Sequence, residues 1–277
     1  MLSDKKIGFI GGGQMGEAIF SGIVASGEVK AADVHVTDIS AGRLEQLHEK
    51  YGVTTHLNDD ANTGALEIVK TADIVVFAVK PQFARPVLSG VSGAFRPQQL
   101  VVSIMGGITL DFLAEYFPNN PVLRVMPNTP MLVRKGVAGI AANQLAQGEY
   151  AQLGVEMFNL VGRSYLLPEN LIDPLTSVSG CSPAFAYLFI EAMADGGVEK
   201  GLPRDMAIQL AAQALAGSAE MVLQTGKHPA QLKDSVCSPA GSTIVGVHAL
   251  ERGNFRATVM NAVTESCDKM IEVGKKA

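Results

Sequence analysis

Three hydroxyl side chains stand close together near the C-terminus, in the stretch SVCSPAGSTIVG at residues 235–246. Ser238, Ser242 and Thr243 surround a Pro-Ala-Gly step that contains no charge and precedes an apolar run. A plain loop would be more polar, and a helix start needs only one capping hydroxyl. A helix N-terminus with small packing residues is the alternative interpretation, and it explains these hydroxyls only singly. The stretch is therefore a candidate binding site.

A glycine pattern near the N-terminus points to a second kind of chemistry, the binding of a dinucleotide. The residues from Gly11 to Gly16 satisfy GxGxxG, directly after the strand candidate KKIGFI and at the start of a helical segment. The first glycine permits a tight turn, the second lets backbone approach a pyrophosphate, and the third allows close packing of helix on strand. The phosphates then lie at the helix N-terminus. The cofactor contacts predicted here are Gly11, Gly13, Gln14, Met15 and Gly16.

Asp38 ends the second strand candidate, DVHVTD, where an acidic side chain would accept a hydrogen bond from the 2′-hydroxyl of an adenosine ribose. An aspartate that caps a turn before Ser40 is the alternative interpretation. A carboxylate at the ribose would repel a 2′-phosphate, and Ile39 follows it in place of an arginine. The pair Asp38-Ile39 therefore favours NADH over NADPH, although Arg43 lies one helical turn further along.

Two proline-containing stretches follow strand candidates, at the edge where open α/β sheets bind ligands. AVKPQ (78–82) follows ADIVVF, and its Lys80 is either a solvated loop residue or a cofactor contact. RVMPNTP (124–130) places Asn128 and Thr129 between two prolines. That loop is stiff, and it suits either an amide-bearing ring or simply a rigid turn.

The elements that would position these residues change character along the chain. Up to about residue 165, short β-branched runs alternate with amphipathic helical stretches, which indicates a doubly wound parallel sheet. The strand candidates are KKIGFI, DVHVTD, ADIVVFAV, LVVSIM, PVLRVM and GVAGIAA. After GRSYLLPENLIDP the pattern indicates helices only. The sequence thus predicts an α/β fold with a Rossmann-type domain over 1–165 and an all-α domain over 166–277.

The helical part contains a segment, Met206 to Leu223, that is rich in alanine and apolar on nearly all faces. A helix of this kind is buried on every side, which a domain of roughly 110 residues rarely achieves alone. We therefore expect the helical domain to bury its helices against a second copy of the chain.

Composition excludes several classes of protein. The 277 residues are 47% apolar and 18% charged, which is typical of a globular chain, and the net charge of −5 argues against a nucleic-acid partner. Cys181, Cys237 and Cys267 are far apart and the histidines form no HExxH array, so we expect a reducing compartment and no metal. The longest uncharged run, 174–190, is too short to span a membrane. We expect a soluble, cytoplasmic protein.

Four stretches together resemble the pyrroline-5-carboxylate reductase family, which reduces a cyclic imine with NAD(P)H in the last step of proline synthesis. They are AVKPQ, RVMPNTP, SVSGCSPAFAYLFIEAMADGGVEKGLPRD and DSVCSPAGSTIVGVHALERG, and the match runs essentially from end to end. The resemblance implies a Rossmann domain and a helical domain that dimerises by interlocking, sometimes into larger rings such as a decamer. It places the substrate, 1-pyrroline-5-carboxylate, between the nicotinamide and the partner's helical domain.

The resemblance also implies roles for individual residues. By position, Val79, Lys80 and Pro81 line the cofactor site, Met126, Pro127 and Asn128 lie by the nicotinamide, and Ser238, Gly241, Ser242 and Thr243 hold the substrate. The substrate carboxylate would then accept hydrogen bonds from the N-terminus of the helix IVGVHALE, where the dipole favours an anion. Thr243 would bind the imine nitrogen and orient the ring. Because the imine can arrive protonated, no strong general acid is required.

The sequence departs from the family pattern at several positions. SGCSPA (179–184) stands where SGSGPA is commoner, and SPAGST (238–243) stands where SPGGTT is commoner. These replacements are small, so we expect retained function. The family's second strand often ends in an Asn-Arg or Ser-containing turn, and a family asparagine near the adenosine phosphate corresponds to Ala65 here. Both differences favour NADH.

Two other classes of protein stay open. A β-hydroxyacid dehydrogenase has a similar N-terminus but needs a catalytic lysine on its long central helix, where residues 183–200 offer only Lys200 at the end. A non-catalytic NAD(P)-binding regulator would keep the glycine turn, but it would have no reason to keep the uncharged group of hydroxyls.

Overall fold

The structure is a computed structural model, and it describes residues 2–274. Within them one sheet contains eight strands in the order β3-β2-β1-β4-β5-β6-β7-β8. The strands are β1 (Ile7–Ile10), β2 (Val34–Asp38), β3 (Thr54–Leu57), β4 (Ile74–Phe77), β5 (Leu100–Ser103), β6 (Val122–Met126), β7 (Gly136–Ala142) and β8 (Gly162–Leu166). Strands β1 to β6 are mutually parallel, which confirms the predicted doubly wound sheet.

The last two strands differ from the prediction of a wholly parallel sheet. Strand β7 runs antiparallel to β6, and β8 is parallel to β7. The connection between β6 and β7 is residues 127–135, which include only the short 3-10 turn Thr129–Val133. A parallel pair needs a crossover of a dozen or more residues, whereas this connection suffices only for an antiparallel one.

Among the described residues, seven helices accompany the sheet: α1 (Gln14–Ser26), α2 (Ala41–Tyr51), α3 (Thr63–Thr71), α4 (Ala84–Val91), α5 (Leu110–Ala114), α6 (Glu149–Asn159) and α7 (Ile172–Ser179). Alternate strand residues point to opposite faces. On one face Phe9 and Val36 belong to a core shared with α1, α2 and α6. On the other face Phe77 and Val101 belong to a core shared with α3, α4 and α5. These two cores hold the carboxyl ends of β1, β2 and β4 side by side.

The rest of the chain, as far as the structure describes it, is helical, as predicted. Its helices are α8 (Ser182–Glu199), α9 (Arg204–Thr225), α10 (Pro229–Ser235), α11 (Ser242–Arg252) and α12 (Phe255–Gly274). Contacts divide the chain into two compact units: a sheet unit up to Gly180 that also takes in the residues from Cys267 onward, and a helical unit, Cys181–Ser266. The domain boundary after residue 165 stays a prediction.

Little of the helical unit is buried within a single chain. In α8 and α9 the buried residues are the small Ala194, Ala207 and Ala211. Large apolar side chains remain exposed, with Leu188 at 65% and Met260 at 67%. Apolar surface of this extent is typical of a protein–protein interface.

Helix α9 also bears on the expectation that no segment could span a membrane. By length and composition alone, this helix, Arg204–Thr225, could cross a membrane. It lies outside the uncharged run at 174–190. The core helix of a soluble protein meets the same two criteria. Within this chain only Ala207 and Ala211 of α9 are buried, so the expectation that the helix packs on all sides stays a prediction.

Candidate active site

The candidate cofactor site is a cleft at the carboxyl ends of β1, β2 and β4. A cavity of about 520 Å³ opens there, lined by residues that include Gly11, Gly13, Asp38, Val79 and Lys80. Strand β1 lies between β2 and β4, so the chain leaves the sheet in opposite directions at this point. In open α/β sheets, such a reversal of strand order is where ligands bind.

The glycine turn after β1 has the geometry that a dinucleotide requires. Gly11 has φ +113°, and a Cβ built on it would lie 2.7 Å from the carbonyl oxygen of Ala78. A Cβ on Gly16 would lie 2.7 Å from the carbonyl oxygen of Gly11. A Cβ on Gly13 would meet no atom within 4 Å, because Gly13 borders the open cavity. The backbone at Gly13 is thus bare where a pyrophosphate would approach, and the residues fit the group.

Helix α1 starts directly after this turn, with Gly13 as its N-cap and no side chain satisfying its first N–H groups. The first N–H groups of a helix have no acceptor within it, and the dipole attracts an anion to them. The Met15 side chain packs against the hydrophobic core. A cofactor contact of Met15 would therefore be made by its backbone, and the contacts of Gln14 and Met15 stay predictions.

The Asp38 carboxylate lies at the rim of the same cavity, with each oxygen bound by a backbone N–H. Oδ2 accepts from Gly12 at 2.9 Å, and Oδ1 accepts from Ser40 at 3.0 Å. The turn-capping interpretation thus describes the local structure correctly. A carboxylate has about four lone-pair positions, so Asp38 can also accept from a ribose hydroxyl in the cavity.

A cluster of polar side chains, missed by the sequence reasoning, ties α2 to the glycine turn. Arg43 Nε donates to the Gly12 carbonyl oxygen at 2.9 Å, and Arg43 Nη2 donates to Glu17. Glu17 also accepts from Tyr51 at 2.6 Å and from Lys50 at 3.1 Å. Burial would raise the pKa of Glu17, but these hydrogen bonds outweigh burial and lower the pKa to about 2. Glu17 is therefore ionised at any working pH.

The asparagines that line the cavity differ from the expectation about Ala65. Ala65 is fully buried in α3 and does not line the cavity, whereas Asn58 and Asn62 do. Asn58 Oδ1 accepts the backbone N–H of Ala65 at 3.0 Å. The residue type at position 65 therefore carries no weight in the choice of cofactor.

Of the stretch AVKPQ, Val79 and Lys80 line the cavity. Lys80 is exposed, and it is the one basic residue among the described residues that line this cavity. Pro81 does not line the cavity; it begins the 3-10 turn Pro81–Phe83, whose last residue does. The cofactor roles of these three residues stay predictions.

The loop after β6 is held by the side chain of Asn128. Asn128 Oδ1 accepts the backbone N–H of Val137 at 2.8 Å, and Nδ2 donates to the carbonyl oxygen of Ser179 at 2.9 Å. The side-chain amide is thus occupied within the sheet unit, so it fixes the loop that follows Met126 and Pro127. These three residues do not line the cavity described above.

The hydroxyl segment lies in the helical unit and leads into α11. Gly241 is the N-cap, so no side chain covers the first N–H groups of this helix. The oxygen Oγ of Ser238 occupies the space that a side chain at Gly241 would need. Ser242 and Thr243 form the exposed first turn. The segment therefore offers hydroxyls and free backbone N–H groups at one helix end, which suits a small anion.

Replacing Ala240 with glycine is expected to stabilise the protein by about 0.5–1 kcal/mol. Ala240 has φ +57°, in the left-handed region that glycine adopts without steric cost. The gain is partly offset by the greater freedom of glycine in the unfolded chain. Denaturant unfolding of the two proteins measures the difference. A lower stability of Ala240→Gly would show that this turn is unstrained.

The fold and the cleft define the protein as an NAD(P)-dependent oxidoreductase with a Rossmann-type domain. The chain belongs, more particularly, to the pyrroline-5-carboxylate reductase family. A model of "pyrroline-5-carboxylate reductase dimerisation" matches residues 169–273, and one of "NADP oxidoreductase coenzyme F420-dependent" proteins matches residues 6–107. The chain is 42% identical to pyrroline-5-carboxylate reductase of Escherichia coli K12, over 98% of this chain and 99% of that protein.

Solved structures of the family are similar over the whole chain. Pyrroline carboxylate reductase of Plasmodium falciparum, solved with NADP bound, is 34% identical with a TM-score of 0.85, covering 98% of this chain and 99% of that one. The reductase of Coxiella burnetii is 32% identical with a TM-score of 0.88, covering 97% and 98%. Membership of this family sets aside both the β-hydroxyacid dehydrogenase and the non-catalytic regulator.

Proposed function

We propose that the protein reduces 1-pyrroline-5-carboxylate to L-proline, with NADH as the preferred electron donor. Family membership over the whole chain supports the reaction. The observation that supports the cofactor preference is the Asp38 carboxylate, which two backbone N–H groups hold at the rim of the cavity.

The charges around the cavity favour a ribose without a 2′-phosphate. Asp38, Asp59 and Asp60 line the cavity, against the single basic residue Lys80 among its described lining residues. Hydrogen bonds from Thr63 lower the pKa of Asp59, which keeps that carboxyl ionised as well. A doubly charged phosphate here would meet like charges at short range, where the repulsion is least screened.

The glycine turn and α1 are proposed to bind and orient the dinucleotide. Bare backbone at Gly13 and the first N–H groups of α1 would hold the pyrophosphate, and Asp38 would hold the ribose. Bound reduced nicotinamide would supply the hydride for the reduction. Met126 and Pro127 are proposed to lie by its ring, on the loop that Asn128 fixes.

The segment 238–243 is proposed to bind the substrate. Free N–H groups at the start of α11, with the hydroxyls of Ser238 and Ser242, would bind the carboxylate of the ring. Thr243 would hydrogen-bond the protonated imine nitrogen. Hydride adds to the adjacent carbon, the C=N π electrons pass to nitrogen, and the positive charge is discharged to give the amine. The protein's contribution is orientation, so no histidine–carboxylate pair is required.

The helical unit is proposed to form a dimer, which could pack further into a decamer. Exposed apolar residues on α8 and α9 support it, such as Tyr187 at 63% and Leu210 at 54%. A domain division near residue 165 and a cytoplasmic location are proposed with it. The three cysteines are free thiols, in keeping with a reducing compartment.

The proposed function is tested by the oxidation of NADH and of NADPH by purified protein with 1-pyrroline-5-carboxylate. We expect turnover with both and a higher kcat/KM for NADH. The ratio should move toward NADPH in Asp38→Asn, because the substitution removes one negative charge. No turnover with either cofactor, alongside turnover of 3-hydroxyisobutyrate with NAD, would contradict the reaction. A preference for NADPH would leave the reaction standing and contradict the role of Asp38.

A further inference from the structure

Asp38 and Arg43 both bind the backbone of Gly12 in the glycine turn. Asp38 Oδ2 accepts the N–H of Gly12, and Arg43 Nε donates to the C=O of Gly12. Ser40 connects them a second time, because its N–H donates to Asp38 and its hydroxyl accepts the N–H of Arg43. The guanidinium of Arg43 does not line the cofactor cavity; it lies with Glu17 and Lys50 around a neighbouring depression in the surface.

An arginine in this place is a natural partner for a 2′-phosphate, because guanidinium donors match phosphate oxygens in geometry and charge. In this protein the guanidinium of Arg43 already has a partner. Nη2 of Arg43 bonds to Glu17, and only 14% of the Glu17 side chain is exposed. Lys50 and Tyr51 also donate hydrogen bonds to this carboxylate. The Arg43 side chain is therefore held on the α1 side of the turn.

We propose that Glu17 is a specificity-determining residue, which favours NADH by holding Arg43 away from a 2′-phosphate. Glu17 acts through Arg43 and is therefore a positioning residue. If the ion pair were lost, the guanidinium would be free to contact the phosphate or to neutralise Asp38. Both changes would lower the cost of binding NADPH. This inference rests on the proposed binding of a nicotinamide dinucleotide in the cleft.

The test compares Glu17→Gln with Tyr51→Phe. Glutamine keeps the size of the side chain and removes the charge that holds Arg43. Phenylalanine at position 51 removes one hydrogen bond from the same cluster, but it leaves the ion pair and the ring contact with Phe20 in place. The double variant Glu17→Gln/Arg43→Gln removes the released cation. Calorimetric titration with NAD⁺ and with NADP⁺ gives the ratio of their Kd values, and steady-state kinetics gives KM and kcat separately.

We expect Glu17→Gln to shift the Kd ratio toward NADP⁺ by about tenfold, the effect of one gained charge-assisted hydrogen bond. The KM for NADPH should fall with kcat nearly unchanged, Tyr51→Phe should keep the wild-type ratio, and the double variant should return toward it. Equal loss of both affinities in Glu17→Gln, or a shift that persists in the double variant, would overturn the inference. These ratios are taken between variants, so they test Glu17 even if the wild-type protein prefers NADPH.

Discussion

Thr243→Ala is expected to lower kcat for the reduction of the imine by about 10²-fold, because the ring would lose the hydrogen bond that orients it for hydride transfer. Thr243 is exposed in the first turn of α11, so its methyl and hydroxyl groups contribute little to packing. Alanine is a better helix former than threonine. The melting temperature should therefore stay close to that of the wild type while turnover falls.

Thr243→Ser is the matched control, because it keeps the hydroxyl and removes only a methyl group. We expect it to retain most of the wild-type kcat. Steady-state kinetics with saturating cofactor separates the effect on kcat from the effect on the KM for the substrate. Unchanged turnover in Thr243→Ala would remove Thr243 from the mechanism, whereas an equal loss in Thr243→Ser would indicate a role in shape rather than in hydrogen bonding.

Gly11→Ala is expected to abolish measurable cofactor binding and to destabilise the sheet unit by about 3 kcal/mol. At φ +113° an L side chain is strained, and its Cβ would lie 2.7 Å from the carbonyl oxygen of Ala78. The backbone of residues 11 and 78 is held by hydrogen bonds to neighbouring strands, so neither can move away cheaply. The turn would have to shift away from β4, and the N-terminus of α1 would move with it.

Gly13→Ala separates the loss of cofactor binding from the loss of stability. Gly13 has φ −71°, and its Cβ would extend into open space, so the protein should fold with stability close to that of the wild type. The new methyl group would nevertheless occupy the side of the turn that faces the cavity, and cofactor binding should weaken strongly. Denaturant unfolding and calorimetry with NAD⁺ measure both variants. Wild-type affinity in Gly13→Ala would place the pyrophosphate elsewhere.

The six central strands could be predicted from the sequence because burial on both faces makes most of their residues apolar. The two strands that were missed, β3 and β8, form the two edges of the sheet. Their sequences, TTHL and GRSYL, are polar and none of their residues is buried, so neither gives a periodic signal. Edge strands are defined by a neighbour on one side only, which is tertiary information.

Part of the candidate site could likewise be predicted from the sequence, and part could not. The glycine spacing and the position of Asp38 could be predicted because both follow from adjacent residues in a βαβ unit. The contacts of Glu17 with Arg43, Lys50 and Tyr51 could not, because they join residues 26 to 34 positions apart across two helices. The role of Asn128 was also missed, since its partner Ser179 lies 51 positions away.

The scarcity of buried residues in α8 to α11 has a consequence for how the molecule acquires its stability. The sheet unit has two hydrophobic cores of its own, whereas the helical unit buries little more than alanines within one chain. If a second copy completes the helical core, folding of that unit and association are a single bimolecular event. Its unfolding midpoint would then rise with protein concentration, while that of the sheet unit would not. Dilution would therefore unfold the helical unit, with its segment 238–243, before it affects the nucleotide cleft.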